Sequence, residues 1–239
     1  MSEVQTITGN LTAIGATGLT GLVADELTRI GGSLWLEDLV LLSELSFATL
    51  AEADTVHLEG LSALQELGSM NGLSRANEVL ITDTALTNTN GLGLMAASVI
   101  KMYNNFNLET AHFDLLNNLT SYLYMGWNGK DIDISLPKLV TTGSLTLENA
   151  SHLFIPLLEE VDYLLACSDC HMKNFSALNL KRAGNISFVG SDAEVLTLPS
   201  LENVSQNILI TNNSNLNTIS FDGLKTVEGD MELTGSFDS

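Results

Sequence analysis

The sequence predicts a mainly-β solenoid, either a right-handed parallel β-helix or a leucine-rich-repeat-like stack, of about eleven coils of ~22 residues in a single domain over residues 1–239. Three observations predict it. An irregular spacing of apolar residues recurs, a pair of alternating apolar residues returns at a steady interval, and a column of turn-forming residues follows each pair.

The spacing is clearest in NLNTISFDGLKTVEGDMEL, residues 215–233, with large apolar side chains at Ile219, Phe221, Leu224, Val227, Met231 and Leu233. Gaps of 2, 3, 3, 4 and 2 fit neither a helix, with its period of about 3.6, nor a strand, with its period of about 2. The same six points return at Leu196, Leu198, Leu201, Val204, Ile208 and Ile210, and at Leu153, Ile155, Leu158, Val161, Leu165 and Cys167. A fourth copy runs from Leu22 through Ala24, Leu27, Ile30 and Leu34 to Leu36. The closing pair can be followed from Leu11/Ala13 to Met231/Leu233 in ten intervals of 20 to 23 residues that span 220 residues, a mean period of 22.

Each part of the repeat has a physical role. The closing pair is a short strand with both named side chains inward, and parallel stacking of these strands makes one long sheet. Two residues later comes the column Gly15, Asp38, Gly60, Asp83, Asn104, Trp127, Asn149, Asp169, Gly190, Asn212 and Gly235, in which only Trp127 is neither small nor turn-forming. Glycine and Asx residues accept a positive φ, so this column is where each coil leaves the sheet, and its carboxylates belong at a wet edge. Pro137, Pro156 and Pro199 share one position, a corner that needs no N–H. A coil of ~22 residues has no room for a strand, two turns and a helix of three turns.

Composition narrows the function. Nine basic against 29 acidic residues leave a formal charge of −20, which disfavours nucleic acid, anionic membranes and pectin-like polyanions as partners. No run of 18 apolar residues is present to span a membrane, and MSEVQTITGN has neither the basic start nor the apolar stretch of a signal peptide. The protein is then either cytosolic or made with a leader outside this stretch.

Asn-x-Ser/Thr sequons at Asn10, Asn118, Asn149, Asn174, Asn185, Asn203 and Asn212 favour secretion and are candidate glycosylation sites. Asn10 and Asn185 precede inward strand residues and so point outward, while Asn149 and Asn212 lie in the turn column. Outward strand positions of the middle coils carry Leu80, Val99, Lys101, Tyr122 and Tyr124, with Trp127 just beyond. This apolar and aromatic patch on an acidic molecule is the candidate binding face, for a cell-wall polysaccharide or a surface protein. The alternative is that another part of the protein covers it.

No catalytic, cofactor or metal site is expected. His57, His112, His152 and His171 fall in different coils and at different points of the repeat, which is expected to keep them apart, and Glu159/Glu160 reads as a solvated edge. The motif CSDC lacks a second ligand pair for zinc, and Cys167 takes an inward position held elsewhere by Leu, Ile or Met. Buried structural thiols are the expectation for Cys167 and Cys170, with a strained disulfide as the alternative.

The string apolar-x-apolar-Pro-x-Leu-x-x-Val, followed by a Gly/Asx pair and a short strand, appears in LTLPSLENVSQNILI, and ISFDGLKTVEGDMEL varies it. With ITGNLTA and IGGSLWL, it resembles the fungal GPI-anchored cell-wall organisation proteins, including the sporulation-specific type, whose repeats are of the receptor L-domain type. The resemblance implies a secreted, extracellular, non-enzymatic glycoprotein that contributes to wall organisation and integrity. It also implies a longer precursor with a leader, end-pinning cysteines, a stalk and a C-terminal anchor signal, so any membrane attachment is through an anchor not in this chain. Polar caps, which a solenoid also needs, are not seen before the final GSFDS. Alternative functions are a recognition module or adhesin binding through the aromatic face and, against the charge, a carbohydrate-active β-helix enzyme.

Overall fold

A computed structural model describes residues 3–235, so the end of the GSFDS stretch lies outside it. The described residues contain strands and turns and no helix. Eleven rungs follow one another in a single parallel sheet, giving ten turns of a solenoid. The central rungs are Glu52–Glu59, Arg75–Thr82, Ala96–Tyr103, Asn118–Gly126, Thr141–Glu148, Glu160–Ser168 and Arg182–Val189. In the two rungs at either end the strand is broken in two, as in Arg29–Ile30 and Ser33–Glu37.

Rung partners are the repeat equivalents expected from the sequence. Leu34 pairs with Val56, Val79 with Ile100, Leu123 with Leu145, and Ile208 with Met231. The inward pairs of the inner rungs are buried, for example Leu34, Leu36, Ile208 and Ile210. Burial fades at the last rung, where Met231 and Leu233 have a neighbouring rung on one side only.

Shorter ladders form the opposite wall: Thr110–His112 with Ile132–Ser135 and Ala150–Phe154, then Asn174–Ser176 with Val195–Thr197 and Thr218–Ser220. Corners lead from this wall to the sheet. Leu139 N–H donates to the Leu136 carbonyl, Leu158 to Ile155 and Leu201 to Leu198, so Pro137, Pro156 and Pro199 each take the second place of a four-residue turn. All peptide bonds there are trans.

The turn column is the clearest outcome of the sequence pattern. Gly15, Asp38, Gly60, Asp83, Asn104, Trp127, Asn149, Asp169, Gly190 and Asn212 all have φ between 52° and 68°. Asp38, Asp83, Asp169 and Asn212 are exposed, as a column of ionisable side chains requires. The left-handed residue swings the next side chain back inward, where Thr84, Asn105, Asn128, Cys170, Ser191 and Asn213 are buried. Asn105 Nδ2 donates to the carbonyls of Ile81 at 3.0 Å and Tyr103 at 3.1 Å, and its Oδ1 accepts from Thr84 Oγ1 at 2.6 Å. Side-chain amides thus satisfy backbone groups left open where the rungs end.

The same device corrects the expectation of free thiols. Cys167 is inward at the end of its rung, Asp169 reverses the chain at φ 52°, and Cys170 is returned beside it at a Cα distance of 5.9 Å, forming a disulfide. Both cysteines are buried.

Candidate functional site

The outward side chains of the long sheet form parallel columns, because each rung lies about 4.8 Å from the next. One column runs Trp35, His57, Leu80, Lys101, Tyr124, and the one beside it runs Glu78, Val99, Tyr122. A third carries Glu37, Glu59, Thr82, Tyr103, Gly126 and Glu148. The six residues of the predicted face therefore share one surface. Leu80, Val99, Lys101, Tyr122 and Tyr124 are partly exposed, and Trp127 is 61% exposed at its edge.

Lys101 links two parts of this surface. Its ammonium lies 3.2 Å from Glu78 Oε1 and 5.5 Å from the centre of the Tyr122 ring. Contact with Tyr122, and then with Glu78, holds Lys101 above the ordinary lysine range despite partial desolvation. Tyr124 Oη donates to Glu148 Oε1 at 3.2 Å, and burial followed by the Glu148 charge raises its phenol. At neutral pH the face presents a neutral phenol and a fixed cation, groups suited to hydrogen bonding rather than proton transfer.

Several neighbours were absent from the predicted face. Trp35 and His57 stack at 3.7 Å, with Trp35 Nε1 donating to Glu37 at 2.7 Å and His57 Nε2 lying 2.8 Å from Glu59. Tyr103 lies against Tyr124, ring centroids 6.4 Å apart. Gly126 leaves room for the Tyr124 hydroxyl, since a Cβ there would fall 2.3 Å from it. The signal for Trp35 and His57 was present, since both occupy the outward column of Leu80 and Lys101. His57 is also buried beneath its neighbours rather than lying at the surface.

The expectation that the histidines stay apart is overturned at one place. His152 Nδ1 is 2.6 Å from Asp133 Oδ1, and His112 Nε2 is 3.5 Å from Asp133 Oδ2. The repeat spacing hid this, because the rung Ile132–Ser135 pairs with Thr110–His112 on one side and, across a register shift, with Ala150–Phe154 on the other. The two rings approach opposite oxygens of one carboxylate and do not converge on a point. Among the described residues no set of three His, Cys, Asp or Glu side chains is placed to hold a metal ion. Glu159 and Glu160 are taken up by ion pairs with Lys181 and Arg182.

Of the sequon asparagines, Asn10, Asn118, Asn174, Asn203 and Asn212 are exposed, and Asn149 and Asn185 are partly exposed. None is buried in the core.

Comparison with known proteins finds relatives among fungal cell-surface and cell-wall proteins. The chain is 33% identical over 239 residues to the cell surface GPI-anchored protein of Arthroderma benhamiae, covering 99% of this chain and 62% of the relative. It is 30% identical over 238 residues to protein ecm33 of Aspergillus fumigatus, covering 99% of this chain and 60% of the relative. Its homologues are fungal GPI-anchored cell-surface and cell-wall proteins. A more distant member of this cell-wall group, sporulation-specific protein 2 of Saccharomyces cerevisiae, is 26% identical over 214 residues, or 87% of this chain and 42% of that protein. The chain spans about three fifths of the length of the first two of these relatives. No family model and no solved structure matches it. An extracellular wall setting suits the Cys167–Cys170 disulfide, since disulfides persist in oxidising compartments.

Proposed function

We propose that this solenoid is a non-enzymatic wall-organising module that works by binding, with the face around Tyr122 and Tyr124 as its contact surface. The observation that carries the reading is the aromatic group Trp35, Tyr103, Tyr122 and Tyr124, set among the carboxylates of Glu37, Glu78 and Glu148. Flat rings offer apolar contact and the carboxylates accept hydrogen bonds from hydroxyl groups, a combination suited to a neutral polysaccharide. A net charge of −20 works against acidic polymers and does not penalise a neutral or cationic one. The homologues named as cell-wall proteins support the setting, and a solenoid that spans about three fifths of its first relatives fits a binding part of a longer chain.

The test is incubation of the purified domain with isolated fungal wall polysaccharides. Expected are co-sedimentation with the insoluble fraction and no release of reducing ends above a boiled control. Sustained release of reducing ends contradicts the non-enzymatic reading, and failure to bind any wall fraction contradicts the binding one.

A further inference from the structure

All three arginines of the chain stand in one ladder column at the base of the long sheet. Arg29 pairs in register with Glu52, which pairs with Arg75, and Arg182 stands between Glu160 and Asn203. Arg29 is ion-paired with Glu52, and Arg182 grips Glu160 through two hydrogen bonds of 2.9 and 2.6 Å. Among the described residues Arg75 has no such partner, although it carries five N–H donors.

Arg75 lines a groove. The Asn118–Gly126 rung holds one residue more than its neighbour between Leu119 and Tyr122, and this bulge bends the sheet. The resulting groove, about 320 Å³, is lined by Arg75, Asn77, Ser98, Asn118 and Thr120. Asn118 and Thr120 are the first and third residues of a sequon. A groove of about 140 Å³ further along contains Asn203 and Ser205, again the first and third residues of a sequon, beside Arg182. Asn118 and Asn203 occupy the same ladder column, both are exposed, and neither side-chain amide makes a hydrogen bond among the described residues. Asn10 and Asn185 differ, with side chains engaged by Ser33 N–H and by the Tyr163 carbonyl.

We propose that Asn118 and Asn203 carry N-linked glycans whose first sugars lie in these grooves, the first held by Arg75. Attachment joins Asn Nδ2 to the anomeric carbon of a lipid-diphosphate sugar donor, with the lipid diphosphate leaving and the amide proton passing to a base of the transferring enzyme. The Arg75 guanidinium, two rungs or about 10 Å along the axis, supplies donors to sugar hydroxyls and to the acetamide carbonyl. Its methylene stem offers an apolar contact. Both glycans project on the flank of the sheet and leave the aromatic face open.

The inference rests on the chain being extracellular. The test is secretion of the whole chain from a fungal host behind an added leader, peptide mapping of glycan occupancy, and timed endoglycosidase digestion of the native protein. Expected are filled sites at Asn118 and Asn203 and native cleavage there about tenfold slower than at the exposed Asn174. Arg75→Ala should abolish the protection at Asn118 and leave that at Asn203, with Arg75→Lys between. Among the described residues the Arg75 side chain has no hydrogen-bond or ion-pair partner, so the variants preserve the fold. Glycans found only at other sequons, or equal cleavage rates, or protection unchanged by Arg75→Ala, overturn this inference alone. A secreted product without any glycan overturns the extracellular reading with it.

Discussion

Trp35 and His57 stack face to face, ring centroids 3.7 Å apart and planes 8° from parallel, although 22 residues separate them. The contact exists because successive rungs bring repeat-equivalent outward side chains to stacking distance. Replacing His57 with Ala should lower stability by about 1–2 kcal/mol and shift Trp35 emission to the red, whereas His57→Phe should preserve both. Unfolding curves followed by tryptophan fluorescence check this, with Trp127 replaced so that Trp35 is the one emitter.

Trp127 holds φ at 54°, a conformation costing a non-glycine residue about 1–2 kcal/mol, in a column otherwise filled by Gly, Asn and Asp. Trp127→Asn should raise stability by up to about 1 kcal/mol and weaken binding to wall material. A variant less stable than the parent shows that Trp127 makes stabilising contacts outweighing its backbone strain.

Asn105 joins three rungs through buried hydrogen bonds to Ile81, Tyr103, Thr84 and Asn128. Asn105→Ala strands several of these partners away from water and should cost about 3 kcal/mol. The same substitution at exposed Asn212, whose side chain faces solvent, should cost far less. Chemical denaturation of the two variants makes the comparison.

The Cys167–Cys170 disulfide closes a very short loop, for which the chain-entropy account gives about 2 kcal/mol. Replacing both cysteines with Ala should therefore leave a folded domain of reduced Tm. Thiol titration of the denatured, unreduced protein should find no free sulfhydryl from this pair.

Glu160 has its carboxyl held below the ordinary value of 4.5, first by its hydrogen bonds from Arg182. The folded value lies under the unfolded one, so this stabilisation is fully present above about pH 4.5 and is lost as pH falls through the folded value. Glu160→Gln should lower Tm slightly at pH 7, with the difference vanishing once pH has fallen below the folded value, and salt should weaken the effect since the pair is solvent-exposed.

The coil was legible in the sequence because it depends on local patterns. Inward pairs, Pro corners and the Gly/Asx column each follow from what a short strand and a left-handed turn demand. Contacts that depend on register were harder to see. The Asp133 meeting with His112 and His152 needs a rung of the opposite wall and a one-residue shift that no period reveals. The disulfide follows from Asp169 in the left-handed turn, so reading Cys167 and Cys170 through the turn column instead of as an isolated motif would have found it. Trp35 and His57 were visible as outward residues, and only their stacking, and the carboxylates beside them, required the structure.

The most direct measurement is the affinity of the domain for isolated fungal wall, by co-sedimentation, for three proteins: the parent, Tyr122→Ala with Tyr124→Ala, and Phe154→Ser on the opposite wall, where Phe154 is exposed. The account predicts at least a tenfold loss for the double variant and an unchanged affinity for Phe154→Ser, with all three equally folded. Equal binding by the parent and the double variant, or a loss confined to Phe154→Ser, would contradict it.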